Sequence, residues 1–165
     1  MEVEDPTKLP SSGDSRAPMS DHYNLLLYYD RSPESASALL RVIRLGAALT
    51  ATVHVLSVAE IDLGIGDSVG CISAMARLEI EGEARLALEE ALEHLGERGI
   101  VAHGHIATGN VVDSMARYAG LLNVDLLVLG YRSPRGLAKW LGRPSHHAAL
   151  VKRAAGRAVA MVPLD

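Results

Sequence analysis

Two stretches of this chain carry residue types that hold phosphate-bearing ligands. One is Asp30-Arg-Ser-Pro-Glu34, an acid followed by a hydroxyl and a proline. The other runs from Gly130 to Ser145 and holds Gly130, Gly136 and Gly142 among Arg132, Arg135, Lys139 and Arg143. Glycine lets a ligand approach the backbone, amides at a helix start point at anions, and guanidinium groups pair with phosphate. Histidines form a second group: His103 and His105 alternate on one strand face, and His146-His147 opens a helix. Two adjacent helical positions cannot share a metal ion as residues four apart can, so these four are read as surface histidines. Cys71, in a glycine-containing loop, is a thiol with no base beside it. Trp140 reads as a packing residue of the basic loop. No Gly-x-Ser-x-Gly elbow, Walker A loop or zinc spacing occurs, so an enzyme is not expected.

Composition limits the remaining classes. A chain of 165 residues with 48% hydrophobic content suits one domain with a packed core. No apolar run reaches the ~18 residues of a membrane span. The first 20 residues are rich in proline, serine, glycine and charge, lack an apolar signal segment, and read as a flexible tail before a domain over 21–165. A single cysteine allows no internal disulfide, which favours the cytoplasm. Charge is uneven: between Leu126 and Leu164 there are seven Lys or Arg and no acid, on a chain of net charge −4. Such a basic quarter either attracts an anion or neutralises the protein's own acidic helices. Nucleic acid is not expected, because no aromatic residues interleave with the basic ones.

The elements that would position these residues alternate. Asn24–Tyr29 is a continuous apolar run, as in a strand buried on both faces. Ser32-Pro33-Glu34 combines a cap, a proline for the first helical position and an acid on the helix dipole. Strands follow at 51–58, 100–108, 126–129 and 158–162, and helices at 75–98, after Gly109-Asn110, and at 145–155. In the long helix Ala84, Leu88, Ala91 and Leu95 form the apolar stripe, and Glu79, Glu83, Glu90, Glu93 and Glu97 face solvent. This β-α alternation predicts a doubly wound parallel sheet with right-handed crossovers. Ligands of such sheets sit beyond the carboxyl ends of the strands, where Asp30 and Gly130 lie.

On these residues the chain resembles the universal stress protein family over about 24–163. The resemblance rests on the first strand ending at Asp30 with Ser32 beyond it, on Val53-His-Val-Leu-Ser-Val58, on Gly109, and on Asp125-Leu-Leu-Val-Leu-Gly130. It implies an open five-stranded α/β fold of order 3-2-1-4-5 with two helices on each face. It implies ATP or AMP binding, with Mg²⁺, in a subset of members that carry Gly-x2-Gly-x9-Gly-(Ser/Thr) after the fourth strand. It also implies a homodimer through the fifth strand, Ala158–Val162.

Carried over residue by residue, the site comprises Asp30 and Ser32 in the first loop, Val53 as the residue whose backbone meets adenine, and Gly130, Arg132, Ser133, Gly142, Arg143 and Ser145 in the basic loop. The motif is altered here. Arg31 stands where glycine is usual, the second glycine falls on Ser133, the third on Arg143, and Pro144 replaces the hydroxyl residue. Ser133 precedes Pro134 and is biased to extended backbone, while Pro144 lacks an amide donor. The expectation is a stress-response module that binds adenine nucleotide weakly or moderately without efficient hydrolysis. The alternative is a module that acts only through protein contacts.

Overall fold

The protein is described from a computed structural model covering residues 22–61, 74–132 and 146–164. The N-terminal tail, the loop that holds Cys71, and Ser133, Trp140, Gly142, Arg143 and Ser145 lie outside the described residues. The elements are β1 (Asn24–Tyr28), α1 (Pro33–Leu49), β2 (Thr52–Ala59), α2 (Ala74–Gly96), β3 (Ala102–Thr108), α3 (Val111–Leu121), β4 (Leu126–Tyr131), α4 (His146–Arg153) and β5 (Ala158–Pro163). The five strands form one sheet in the order β3-β2-β1-β4-β5, every pair parallel. The expected architecture is the observed one.

β1 is the centre, and its sequence shows why. Leu25, Leu26 and Leu27 are all fully buried, so neither face of the strand sees water. Leu25 and Leu27 join a core with Val42 of α1 and Ala91 and Leu95 of α2. Leu26 joins the opposite core with Met115 of α3 and Leu150 of α4. Two helices therefore cover each face. None of the described helices is long and apolar enough to cross a membrane.

Helix starts follow local chemistry. Ser32 caps α1 by accepting the Ser35 amide at 3.2 Å, with Pro33 in the first turn. Asn110 caps α3 by accepting the amides of Val112 and Asp113. Both caps stand just past the carboxyl ends of β1 and β3, so strand and helix meet in short turns at one edge of the sheet.

Gly130 has a packing reason of its own. A Cβ there would lie 2.1 Å from the carbonyl carbon and oxygen of Glu34 and 2.7 Å from the Ser35 nitrogen. Only glycine lets the end of β4 rest against the first turn of α1, and this contact ties the β1–α1 loop to the β4–α4 side of the sheet.

Candidate functional site

The loop after β1 is organised by one carboxylate. Asp30 Oδ1 accepts the Ser32 hydroxyl at 2.6 Å and the Ser32 amide at 3.0 Å, and Oδ2 accepts the Tyr28 hydroxyl at 3.3 Å. Burial alone would raise the Asp30 pKa, but the donors of Ser32, Ser35 and Tyr28 outweigh it and hold the carboxyl below its ordinary range. Asp30 is thus a fixed anion at the mouth of the sheet. The same bonds shape the turn into α1.

Arg31 follows in the left-handed region, at φ 65°. A non-glycine residue there costs about 1–2 kcal/mol. Two ion pairs to α2 hold it: Arg31 Nε to Glu90 Oε2 at 2.9 Å, and Arg31 Nη1 to Glu83 Oε2 at 3.6 Å. Glu90 also accepts the hydroxyl of buried Tyr29 at 2.6 Å. Tyr29, Arg31 and Glu90 together pin α2 over the end of β1. The sequence places Glu90 on the solvent face of α2, and the structure gives it this partly buried bridging position instead.

Between these elements lies a cavity of about 730 Å³. Its walls are Tyr29, Asp30 and Arg31 after β1, Ser57 and Val58 at the end of β2, and Glu79, Ile80, Glu83 and Ala84 of α2. Ser57 is buried and donates to the Tyr29 carbonyl at 2.8 Å, which fixes the cavity floor. A volume of this size suits a small organic ligand, and its position beyond the carboxyl ends of the strands is where such sheets bind one.

The predicted site residues divide. Asp30 lines the cavity, Ser32 is hydrogen-bonded to it, and Gly130 rests against the backbone of Glu34 and Ser35. Val53 does not join them. It is fully buried near the amino end of β2, opposite Leu25 and Ala102, and five residues of strand place it roughly 16 Å from Val58. Val58 is the valine of this strand that lines the cavity. Arg132 follows β4 as expected, but its guanidinium forms an ion pair with Glu34 in the first turn of α1. Arg153 pairs likewise with Asp113 at the start of α3. Two members of the basic quarter thus neutralise the protein's own helices. Ser133, Gly142, Arg143 and Ser145 belong to the segment outside the described residues.

Sequence reasoning missed Tyr29, Glu90, Ser57 and Val58. The apolar run of β1 ending in two tyrosines was the available signal for Tyr29, since a buried phenol needs a hydrogen-bond partner.

The Tyr29–Glu90 bond gives a testable consequence. Its Tyr29 hydrogen bond, aided by Arg31, holds Glu90 below the usual carboxylate range. A carboxyl with a lowered folded pKa stabilises the fold above its unfolded value, 4.5 for Glu90 and 3.8 for Asp30, and that contribution fades as pH falls through the folded value. Tyr29→Phe should cost about 1.5 kcal/mol at neutral pH, the lower end for a bond to a charged acceptor because Glu90 is partly solvated. It should also flatten the acid limb of stability below pH ~4.5. Urea unfolding at several pH values checks both, and an unchanged acid limb would contradict this role for Glu90.

A model of the universal stress protein family matches residues 23–162. The chain belongs to that family. Among solved structures, a universal stress protein family member from Burkholderia pseudomallei superposes with a TM-score of 0.69 at 21% identity, covering 88% of this chain and 99% of that one. A universal stress protein in complex with cAMP gives 0.63 at 19%, covering 88% and 100%. A family protein from Arabidopsis thaliana with AMP bound gives 0.62 at 15%, covering 87% and 92%. No curated protein matches the chain. At these identities the superpositions carry the fold, and the family match carries membership.

Proposed function

We propose that this universal stress protein is a cytoplasmic stress-response module that binds an adenine nucleotide, AMP or Mg²⁺-bound ATP, in the crevice beside Asp30. The observation that carries the reading is the cavity of about 730 Å³ between Asp30, Ser57, Val58 and α2. Family structures bound to cAMP and AMP support it. The walls contain Asp30, Glu79 and Glu83, and Arg31 is already ion-paired, so this end favours the base and ribose, whose amino and hydroxyl groups donate hydrogen bonds. Phosphates would need cations beyond these walls, and the sequence after β4 supplies Arg135, Lys139 and Arg143. Arg132 would help there only by exchanging Glu34 for phosphate, which lowers its contribution. Turnover stays near background: the Asp30 carboxylate is held ionised by its donors and is a weak base for activating water.

A second reading follows from the ion pairs. With Arg132 committed to Glu34 and Pro144 lacking an amide, phosphate donors are fewer, which favours a module that works through protein contacts alone. Protein purified natively and then denatured should release an adenine nucleotide detectable by chromatography. Absence of nucleotide, together with no binding in solution, favours the contact-only reading.

Assembly as a homodimer through β5 is part of the proposal. β5 is a sheet edge, and Met161 on it is 46% exposed. Apolar edge strands invite pairing unless covered. Light scattering should give twice the chain mass at micromolar concentration, and a concentration-independent monomer would rule the dimer out.

A further inference from the structure

Three imidazoles gather on the α3 side of β2 and β3. His54 and His103 are direct cross-strand partners, and His105, two residues further along β3, pairs with Leu56. His54 Nδ1 and His105 Nε2 are 3.1 Å apart. The His54 ring centroid is 5.5 Å from that of His103 and 5.3 Å from that of His105. Tyr118 of α3 backs His105 at 5.3 Å between centroids, and its hydroxyl donates to the Ile106 carbonyl, so it does not compete for the imidazole nitrogens. Gly104 faces the opposite side, where a Cβ would meet Leu92 Cδ1 at 2.8 Å and Leu88 Cδ1 at 3.0 Å. The packing of α2 on Gly104 therefore fixes the face on which His103 and His105 stand.

We propose that this cluster binds a divalent transition metal ion, with Zn²⁺ as the probe, through His54 Nδ1 and His105 Nε2, completed by His103 and water. Two nitrogens each ~2.0–2.1 Å from one zinc ion lie roughly 3–3.4 Å apart across right to tetrahedral angles, and the observed 3.1 Å falls in that range. Binding requires both rings to turn from this mutual contact so that their lone pairs meet at a common point. Among the described residues no three side chains already surround such a point. His103 is exposed, so a change of rotamer can bring it in as the third ligand. Sets of three histidines with an open water position are an established zinc arrangement. The competing account is an imidazole pair that satisfies itself by one N–H···N bond and binds no ion. The cluster lies on the opposite sheet face from α2 and toward the amino ends of the strands, so it is independent of the nucleotide proposal.

The test is a Zn²⁺ titration of the full chain by calorimetry. One ion per chain is expected. His54→Ala and His105→Ala should each weaken binding at least about tenfold, the scale on which even supporting groups of a metal site act. The chain has seven histidines and one cysteine, so a double substitution of His146 and His147 serves as the control and should leave this affinity unchanged. Saturating Zn²⁺ should also protect His54 and His105 of the unaltered protein from diethylpyrocarbonate, located by peptide mass spectrometry, which needs no variant to fold. Absence of Zn²⁺ binding, unchanged affinity in both single variants, or unprotected His54 and His105 would each overturn the proposal.

Discussion

Gly130→Ala is expected to destabilise the protein by about 3 kcal/mol or more, at or beyond the upper end for overpacking. The new methyl would meet the backbone carbonyl of Glu34 at 2.1 Å, and backbone in the first turn of a capped helix cannot swing aside as a side-chain tip can. For a domain of this size that is a drop in Tm of roughly 6–12 °C. Two other glycines frame the effect. Gly104→Ala meets the flexible ends of Leu88 and Leu92, so its cost should be smaller. Gly82→Ala in α2 meets nothing within 4 Å and should stabilise by roughly 0.5–1 kcal/mol through helix propensity. Thermal unfolding of the three variants checks the ranking. A harmless Gly130→Ala would show that β4 and α1 are not held as described, and the crevice would lose its frame.

Asp30→Ala should have the second large effect, and it should appear in two readouts. Removing a charged acceptor from the ligand costs about 1.5–3 kcal/mol, which is roughly tenfold to over a hundredfold in nucleotide affinity. The substitution also deletes the acceptor for the Ser32 amide and hydroxyl, so stability should fall by about 1 kcal/mol, as for loss of a cap. Ser32→Ala separates the two. It loosens the turn but leaves the carboxylate, so it should lower stability by a similar amount with a smaller loss of affinity. Equal affinity losses in the two variants would mean that Asp30 acts only through the turn.

How much of this was legible in the sequence depends on the distance over which each feature is written. Ser32-Pro33-Glu34 and Gly109-Asn110 are local signals, and both helices begin where they predict. The triple leucine of β1 is equally local, because a strand buried on both faces has no polar alternation. Val53 lies away from the crevice for a different reason. Val53-His-Val-Leu-Ser-Val58 offers three valines, and which one reaches the crevice depends on where β2 ends relative to β1. That register is a property of the paired strands. The Tyr29–Glu90 and Arg31–Glu90 contacts join residues about 60 positions apart, so a carboxylate on the polar stripe of α2 reads as solvent-facing until the helix is docked. Arg132 shows the same limit with charge: composition counts a cation, and only the packed structure shows that Glu34 already holds it. His54 is the counterpart on β2. The alternation of His103 and His105 is visible in the sequence, whereas their meeting with His54 requires β2 and β3 to be neighbours in register.

A nucleotide in the crevice beside Asp30 is what would join this fold to the proposed function. Isothermal titration of the full chain with AMP and with ATP plus Mg²⁺ addresses this directly. Saturable heat with a dissociation constant in the micromolar to low millimolar range, weakened at least about tenfold by Asp30→Ala, is the predicted result. No heat with either ligand at millimolar concentration would contradict the nucleotide reading and leave the protein-contact reading in its place.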